Sequence, residues 1–185
     1  MIERGPFHAF IDESIRGRTY RLTSVRVRSK DLAVVTRDVR QRIPKGQRRP
    51  HMSDEGKQRR RQILRGFASL EIRATVYETP YAGRGDDKAS RDRCLQGLVA
   101  DVPTLDVVSA VLDTRGELRD RQDRFTLHEA MRTACVERFG FIHRASGDDC
   151  LLALPDAIGW AFGRGGEWRR LIEPVTTLRE IDELG

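Results

Sequence analysis

The sequence predicts an α/β domain on a mixed sheet, and three observations carry that prediction. Two apolar, alternating segments near the start are separated by a turn at Gly17, the pattern of an antiparallel hairpin. Segments of helical spacing then alternate with segments of strand character. A late apolar run, Leu151-Leu152-Ala153-Leu154-Pro155-Asp156-Ala157-Ile158-Gly159-Trp160-Ala161, reads as a helix with one acid near its start. A chain of 185 residues fits one domain with a sizeable core. The whole of 1–185 is read as that single domain, with a basic helix-loop-helix segment at 30–69 and a short helix and tail at 167–185.

Residues 7–12 make the first strand and Tyr20 to Val27 the second, with the turn across 12–18. In the second strand the apolar alternation shifts from Tyr20 and Leu22 to Val25 and Val27, which predicts a bulge. Lys30 to Ile43 has Leu32, Val35, Val39 and Ile43 along one helical side, and Pro44 stops it. A basic loop over 44–52 follows. Ser53 reads as an N-cap, with Asp54 and Glu55 in the positive first turn of a helix reaching Ser69. Leu70 to Tyr77 alternates as a strand. Pro80 to Asp87 is a Gly-rich turn region, and Lys88 to Val102 is a helix stopped by Pro103. Leu105 to Leu112 is nearly continuous in apolar character, which suits a strand covered on both faces. Thr126 and Glu129 match a capping box opening the next helix. Phe139 to Ala145 is a short strand, and a helix over 153–163 ends at the glycines around Arg164.

Composition narrows the function classes. No apolar run reaches membrane-span length, which predicts no membrane partner. The N-terminus lacks the form of a signal peptide. Cys94, Cys135 and Cys150 are odd in number and widely spaced, so they read as reduced, buried thiols of a cytoplasmic protein. No P-loop, dinucleotide fingerprint, nucleophile elbow or zinc spacing occurs. The net charge is +6, and between Arg37 and Arg65 eleven Lys/Arg face three Asp/Glu. The rest of the chain holds twenty-three basic and twenty-five acidic residues, so one segment contains the whole excess. Local basic charge of this kind suits phosphate backbones, although a charge run is also the form of a solvated face. The nucleic-acid-binding candidates are Arg48, Arg49, His51, Lys57, Arg59, Arg60 and Arg61, for DNA or RNA. His51 is equally readable as a solvated loop histidine, and His128 and His143 read as packed core residues.

Five acids sit where a sheet presents function, at strand ends or on the late helix. Asp12 ends the first strand, and Glu13 points to the opposite face. Glu78 follows the strand 70–77, Asp113 follows 105–112, and Asp156 lies in the first turn of the last long helix. Carboxylates beside apolar surface need compensation. Hard Mg²⁺ or Mn²⁺ provides it through oxygen ligands. Asp12, Glu13, Glu78, Asp113 and Asp156 are therefore the metal candidates, with Glu78 and Asp113 as alternatives for completing the site. The plain readings are a turn-forming pair at Asp12-Glu13, a helix-start residue at Asp156, and solvated strand ends at Glu78 and Asp113. For Asp113 the plain reading is preferred.

Two segments carry a resemblance. Phe10-Ile11-Asp12-Glu13-Ser14, and the run from Leu151 to Ala161, resemble the two ends of a bacterial family known as domain of unknown function three-thousand-eight-hundred. The resemblance spans roughly residues 7 to 165. It implies a ribonuclease-H-like fold: a mixed sheet with an N-terminal antiparallel hairpin, flanking helices and a C-terminal acid-bearing helix. It also implies metal-dependent nuclease activity, with Asp12, Glu78 and Asp156 as the catalytic acids holding Mg²⁺ or Mn²⁺, and contact of His51 with substrate phosphate. The chain departs from the family at Ile15 and Arg16, which precede Gly17, and at Pro155, where the family has alanine. Those departures favour the alternative of a non-catalytic nucleic-acid-binding or complex-forming module. A third reading is a subunit of a defence or toxin-like assembly whose basic segment meets an acidic protein partner.

Overall fold

The computed structural model describes residues 5–43 and 52–181. Strands β1 (Phe7–Arg16) and β2 (Thr19–Arg28) form the expected hairpin, paired without a break from Phe7↔Arg28 to Arg16↔Thr19. The turn is tighter than the sequence predicts, because β1 runs on through Ser14, Ile15 and Arg16. Gly17 supplies the positive φ of 59° that it needs. The expected bulge in β2 is absent, since its register to β1 is continuous. The apolar residues change face instead: Tyr20 and Leu22 enter one core, Val25 and Val27 the other. A strand flanked by neighbours and covered on both sides can do this without a bulge.

Helices α1 (Leu32–Arg42) and α2 (Lys57–Ala68) follow, then β3 (Ile72–Pro80), α3 (Asp87–Asp101), β4 (Val107–Asp113), α4 (Glu117–Thr133), β5 (Gly140–Arg144), α5 (Ala153–Arg164), α6 (Gly166–Ile172) and β6 (Thr176–Glu180). The six strands lie in the order β5-β4-β1-β2-β3-β6. The pairs β1–β2 and β2–β3 are antiparallel, whereas β4 runs parallel to β1, β5 to β4 and β6 to β3. This mixed sheet flanked by helices is compatible with a ribonuclease-H-like α/β fold. Strand β6 was not expected in the segment read as a short helix and tail. Its residues Thr176, Thr177, Leu178, Arg179 and Glu180 lack an apolar alternation, and their ladder to β3 holds them in place.

Each face of the sheet has its own core. On one side Phe10, Val25, Val27 and Val76 meet α1, α2, α5 and α6, with Leu64, Phe67, Leu154 and Ile158 fully buried. On the other side Ala9, Ile11, Leu22 and Leu112 meet α3 and α4 through Leu95, Val99 and Leu127. Burying one such side chain contributes roughly 1.5–3 kcal/mol.

Three sequence expectations change. Ser53 is not a helix cap: its hydroxyl donates to Asp54, and α2 starts only after Gly56. Thr126 opens no helix either, because α4 begins nine residues earlier, at Glu117. The first half of α4 was illegible because its pattern is inverted. Leu118 and Phe125 are exposed, while Asp120 and Asp123 face inward. Among the cysteines only Cys94 is buried, and Cys135 is exposed. No helix of the described residues is long and apolar enough to cross a membrane.

Candidate functional site

The alternation of β1 splits its two neighbouring acids. Ile11 belongs to the α3–α4 core, so Glu13 shares that face, and Asp12 turns to the α5 side with Phe10. Strand β4 runs parallel beside β1, with Ile11 opposite Leu112. Asp113, the next and last residue of β4, therefore stands beside Asp12 on the same face. Its carboxylate accepts the Ser146 N–H at 3.0 Å.

Helix α5 brings the third acid. Asp156 lies in its first turn and Gly159 follows at i+3, on the same helical side. A Cβ at Gly159 would stand 2.7 Å from Thr23 Oγ1 and 3.5 Å from Ser14 Oγ. The missing side chain thus lets α5 settle on β1 and β2, with Asp156 near enough to Asp12, which lies within β1 and not at its end, to act on its charge. Electrostatics register the convergence. Asp12 is pushed up from 3.8 to about 8, first by burial, then by the charge of Asp156, followed by Glu13 and Asp113. Its own contact with the Glu13 N–H at 2.8 Å opposes the shift only in part. Thr23 faces Asp12 across the β1–β2 ladder. Thr23 Oγ1, Ser14 Oγ and Arg21 Nη1 are buried without a hydrogen-bond partner among the described residues.

The other sequence-nominated residues lie elsewhere. Glu78 falls inside β3, not at its end. It is on the Asp12 face but two strands away, and Arg21 Nε donates to it at 2.7 Å. Asp113, which the sequence reading discounted, is the neighbour of Asp12. Glu13 is held on the opposite face by Arg91 at 2.5 Å and Arg115 at 3.6 Å. Arg48, Arg49 and His51 lie outside the described residues. Among the described residues, four of the five basic side chains of α2, all but Arg65, have intramolecular partners. Arg59 donates to the Arg42 carbonyl, which ends α1, and Arg60 donates to the Met52 and Ser53 carbonyls. Lys57 and Arg61 pair with Glu167 of α6 at 3.1 and 2.6 Å.

A second polar cluster lies under α3 and α4. Arg91 is almost fully buried and donates to both oxygens of Asp123, at 2.8 and 2.7 Å, as well as to Glu13. Arg115 and His143 reach the same Asp123 carboxylate at 3.0 and 3.1 Å. Burial opposes ionisation of Asp123, but the bonds from His143 and Arg91 and the charges of Arg91 and Arg115 hold it well below the usual carboxylate range. The sequence signal was available: Arg91 precedes Cys94, Leu95 and Leu98 at helical spacing, on the buried stripe of α3. His143 thus does lie inside, whereas His128 is exposed and lies tilted against Phe141, with ring centroids 5.1 Å apart.

Two groups can be tested for a cation. Among the described residues, ligand atoms of Asp120, Asp123 and His143 lie within 4.8 Å of one another. Asp123 already faces two guanidinium groups and a ring nitrogen, and Asp120 accepts from Thr114 Oγ1 and the Arg115 N–H. That group is a closed ion network and does not fit a further positive charge. The chemistry of Asp12, Asp113 and Asp156 suits one, although among the described residues their ligand atoms do not all lie within 4.8 Å of one another. Their donors are all hard oxygens, burial and mutual repulsion destabilise the Asp12 carboxylate, and orphaned hydroxyls lie next to it. No protein-family model matches the sequence, and no curated protein matches it.

Proposed function

We propose that the chain is a cytoplasmic, Mg²⁺- or Mn²⁺-dependent nuclease of ribonuclease-H-like type, belonging to the bacterial family whose two end motifs it resembles. One observation carries the reading: β1, β4 and α5 bring Asp12, Asp113 and Asp156 to one face of the sheet, where burial and the neighbouring carboxylates push Asp12 up to about 8. Carboxylates gathered at such a cost suit a bound divalent cation. Asp12, Asp113 and Asp156 hold the ion in this reading, and Glu78 serves Arg21 instead. A divalent ion there supplies charge neutralisation at a phosphodiester and a lowered pKa for a water. The protein contributes the placement of the three acids by two parallel strands and one closely seated helix, and Thr23 and Ser14 offer hydroxyls beside them. The resemblance to the family and the net charge of +6 support a nucleic-acid substrate.

The test is Mn²⁺ binding by calorimetry, together with cleavage of single- and double-stranded DNA and RNA with Mn²⁺ and with chelator. Wild type should bind Mn²⁺ and cleave only with the ion. Asp12→Asn with Asp156→Asn should abolish both. Cleavage that persists in chelator, or in the double variant, removes these acids from the reaction. Mn²⁺ binding and oligonucleotide binding without cleavage is the result expected of a non-catalytic module.

A further inference from the structure

We infer that Arg16 and Arg144, not the basic helix α2, form the phosphate clamp of this site, an inference that rests on the nuclease reading and specifies how its substrate is gripped. Arg144 is the last residue of β5 and pairs in register with Asp113. In β5, Phe141 packs into the α3–α4 core and His143 reaches Asp123, so Arg144 points to the other face, beside the acids. Arg16 ends β1 on the Asp12 face, four residues beyond Asp12. Its side chain runs along α5, with Cδ 3.7 Å from where a Gly163 Cβ would stand. Both arginines are exposed. Among the described residues neither side chain makes an ion pair or a hydrogen bond, in contrast to Lys57, Arg59, Arg60 and Arg61.

Strand spacing and rise put the two arginine backbones roughly 16 Å apart on the sheet. That is about the rise of five stacked nucleotides at about 3.4 Å each. Asp12 and Asp113 lie in the same register row as Arg144, with Arg16 further along β1. A phosphodiester backbone crossing the strand ends would thus meet Arg144 beside the acids and Arg16 a few nucleotides away. Guanidinium groups suit this role because they bind phosphate oxygens in bidentate fashion.

The experiment measures oligonucleotide affinity by fluorescence anisotropy against salt, with Ca²⁺ replacing Mg²⁺ to suppress cleavage, for single- and double-stranded probes. Arg16→Gln and Arg144→Gln should each weaken binding by about 3- to 10-fold at low salt and reduce the slope of log K against log salt by about 1. Lys57→Gln and Arg61→Gln should leave the slope unchanged. Full affinity and slope in folded Arg16→Gln and Arg144→Gln variants, or loss of slope in the α2 variants instead, overturns the clamp. Wild type that binds Mn²⁺ but no oligonucleotide overturns the clamp and leaves the metal site standing. Wild type that binds neither overturns both.

Discussion

Burial and three neighbouring carboxylates leave Asp12 protonated up to about pH 8 in the folded protein, while an ordinary Asp releases its proton near 3.8. Between those values the folded state binds more protons than the unfolded one, so stability falls as pH rises through the window. In chelator, wild type should lose on the order of 3–5 kcal/mol between pH 4 and pH 9 through this residue. Asp12→Asn should flatten that decline and be the more stable protein at pH 9, as read from urea midpoints at several pH values. A decline of equal size in the variant would assign it to other groups. Arg91 behaves in the opposite way. Removing it by Arg91→Met takes from Asp123 its bidentate partner and from Glu13 its closer cation, leaving Arg115 to serve both, and should destabilise by about 3–5 kcal/mol, measured by urea unfolding. At this scale Asp12 and Asp156 were legible, because an acid on an apolar element stands out. The position of Asp113 beside Asp12 was not, because it comes from β4 lying beside β1, and pairing of strands about a hundred positions apart leaves no local mark.

Helix α5 reaches the sheet through a residue with no side chain. Gly159→Ala would set a methyl group 2.7 Å from Thr23 Oγ1, so the helix must move outward and carry Asp156 away from Asp12. The expected cost is about 1–3 kcal/mol in stability, with Mn²⁺ affinity reduced about tenfold or more. Thr23→Ala in the same chain removes the obstructing oxygen and should restore most of the affinity. If Gly159→Ala binds Mn²⁺ as well as wild type does, the contact does not set the position of Asp156. Elements with one apolar stripe, α1 and α5, were read from the sequence to within a residue or two at most termini. Helix α4 was only half read. Its inward-facing Asp120 and Asp123 are polar because Arg115, Arg91 and His143 meet them there, and periodicity alone cannot foresee that.

Across the whole molecule, a ligand that binds only the folded state stabilises it by mass action. Mn²⁺ at a hundred times its dissociation constant adds about 2.7 kcal/mol. For a domain of this size that is an increase in Tm of about 5–10 °C. Calorimetric scans with and without the ion check this, and the increase should vanish in Asp12→Asn with Asp156→Asn. The α/β class and the order of hairpin, helices and strands were legible as a whole. Strand β6 was not, since a polar strand at a sheet edge is recognisable only from the neighbour it pairs with. The placement of the acids also has a consequence in time. Asp12 and Asp156 are separated by 144 positions, and synthesis proceeds at about 5–20 residues per second. A nascent chain therefore presents Asp12 and its hairpin for about 7–30 s before α5 has been made. Through that interval the third acid does not yet exist, and the half-built sheet lacks the cover of α5 and α6. Ribosome-bound chains that stop before α5 should accordingly show no Mn²⁺ affinity. The full set of three acids is thus present only after most of the chain has been translated.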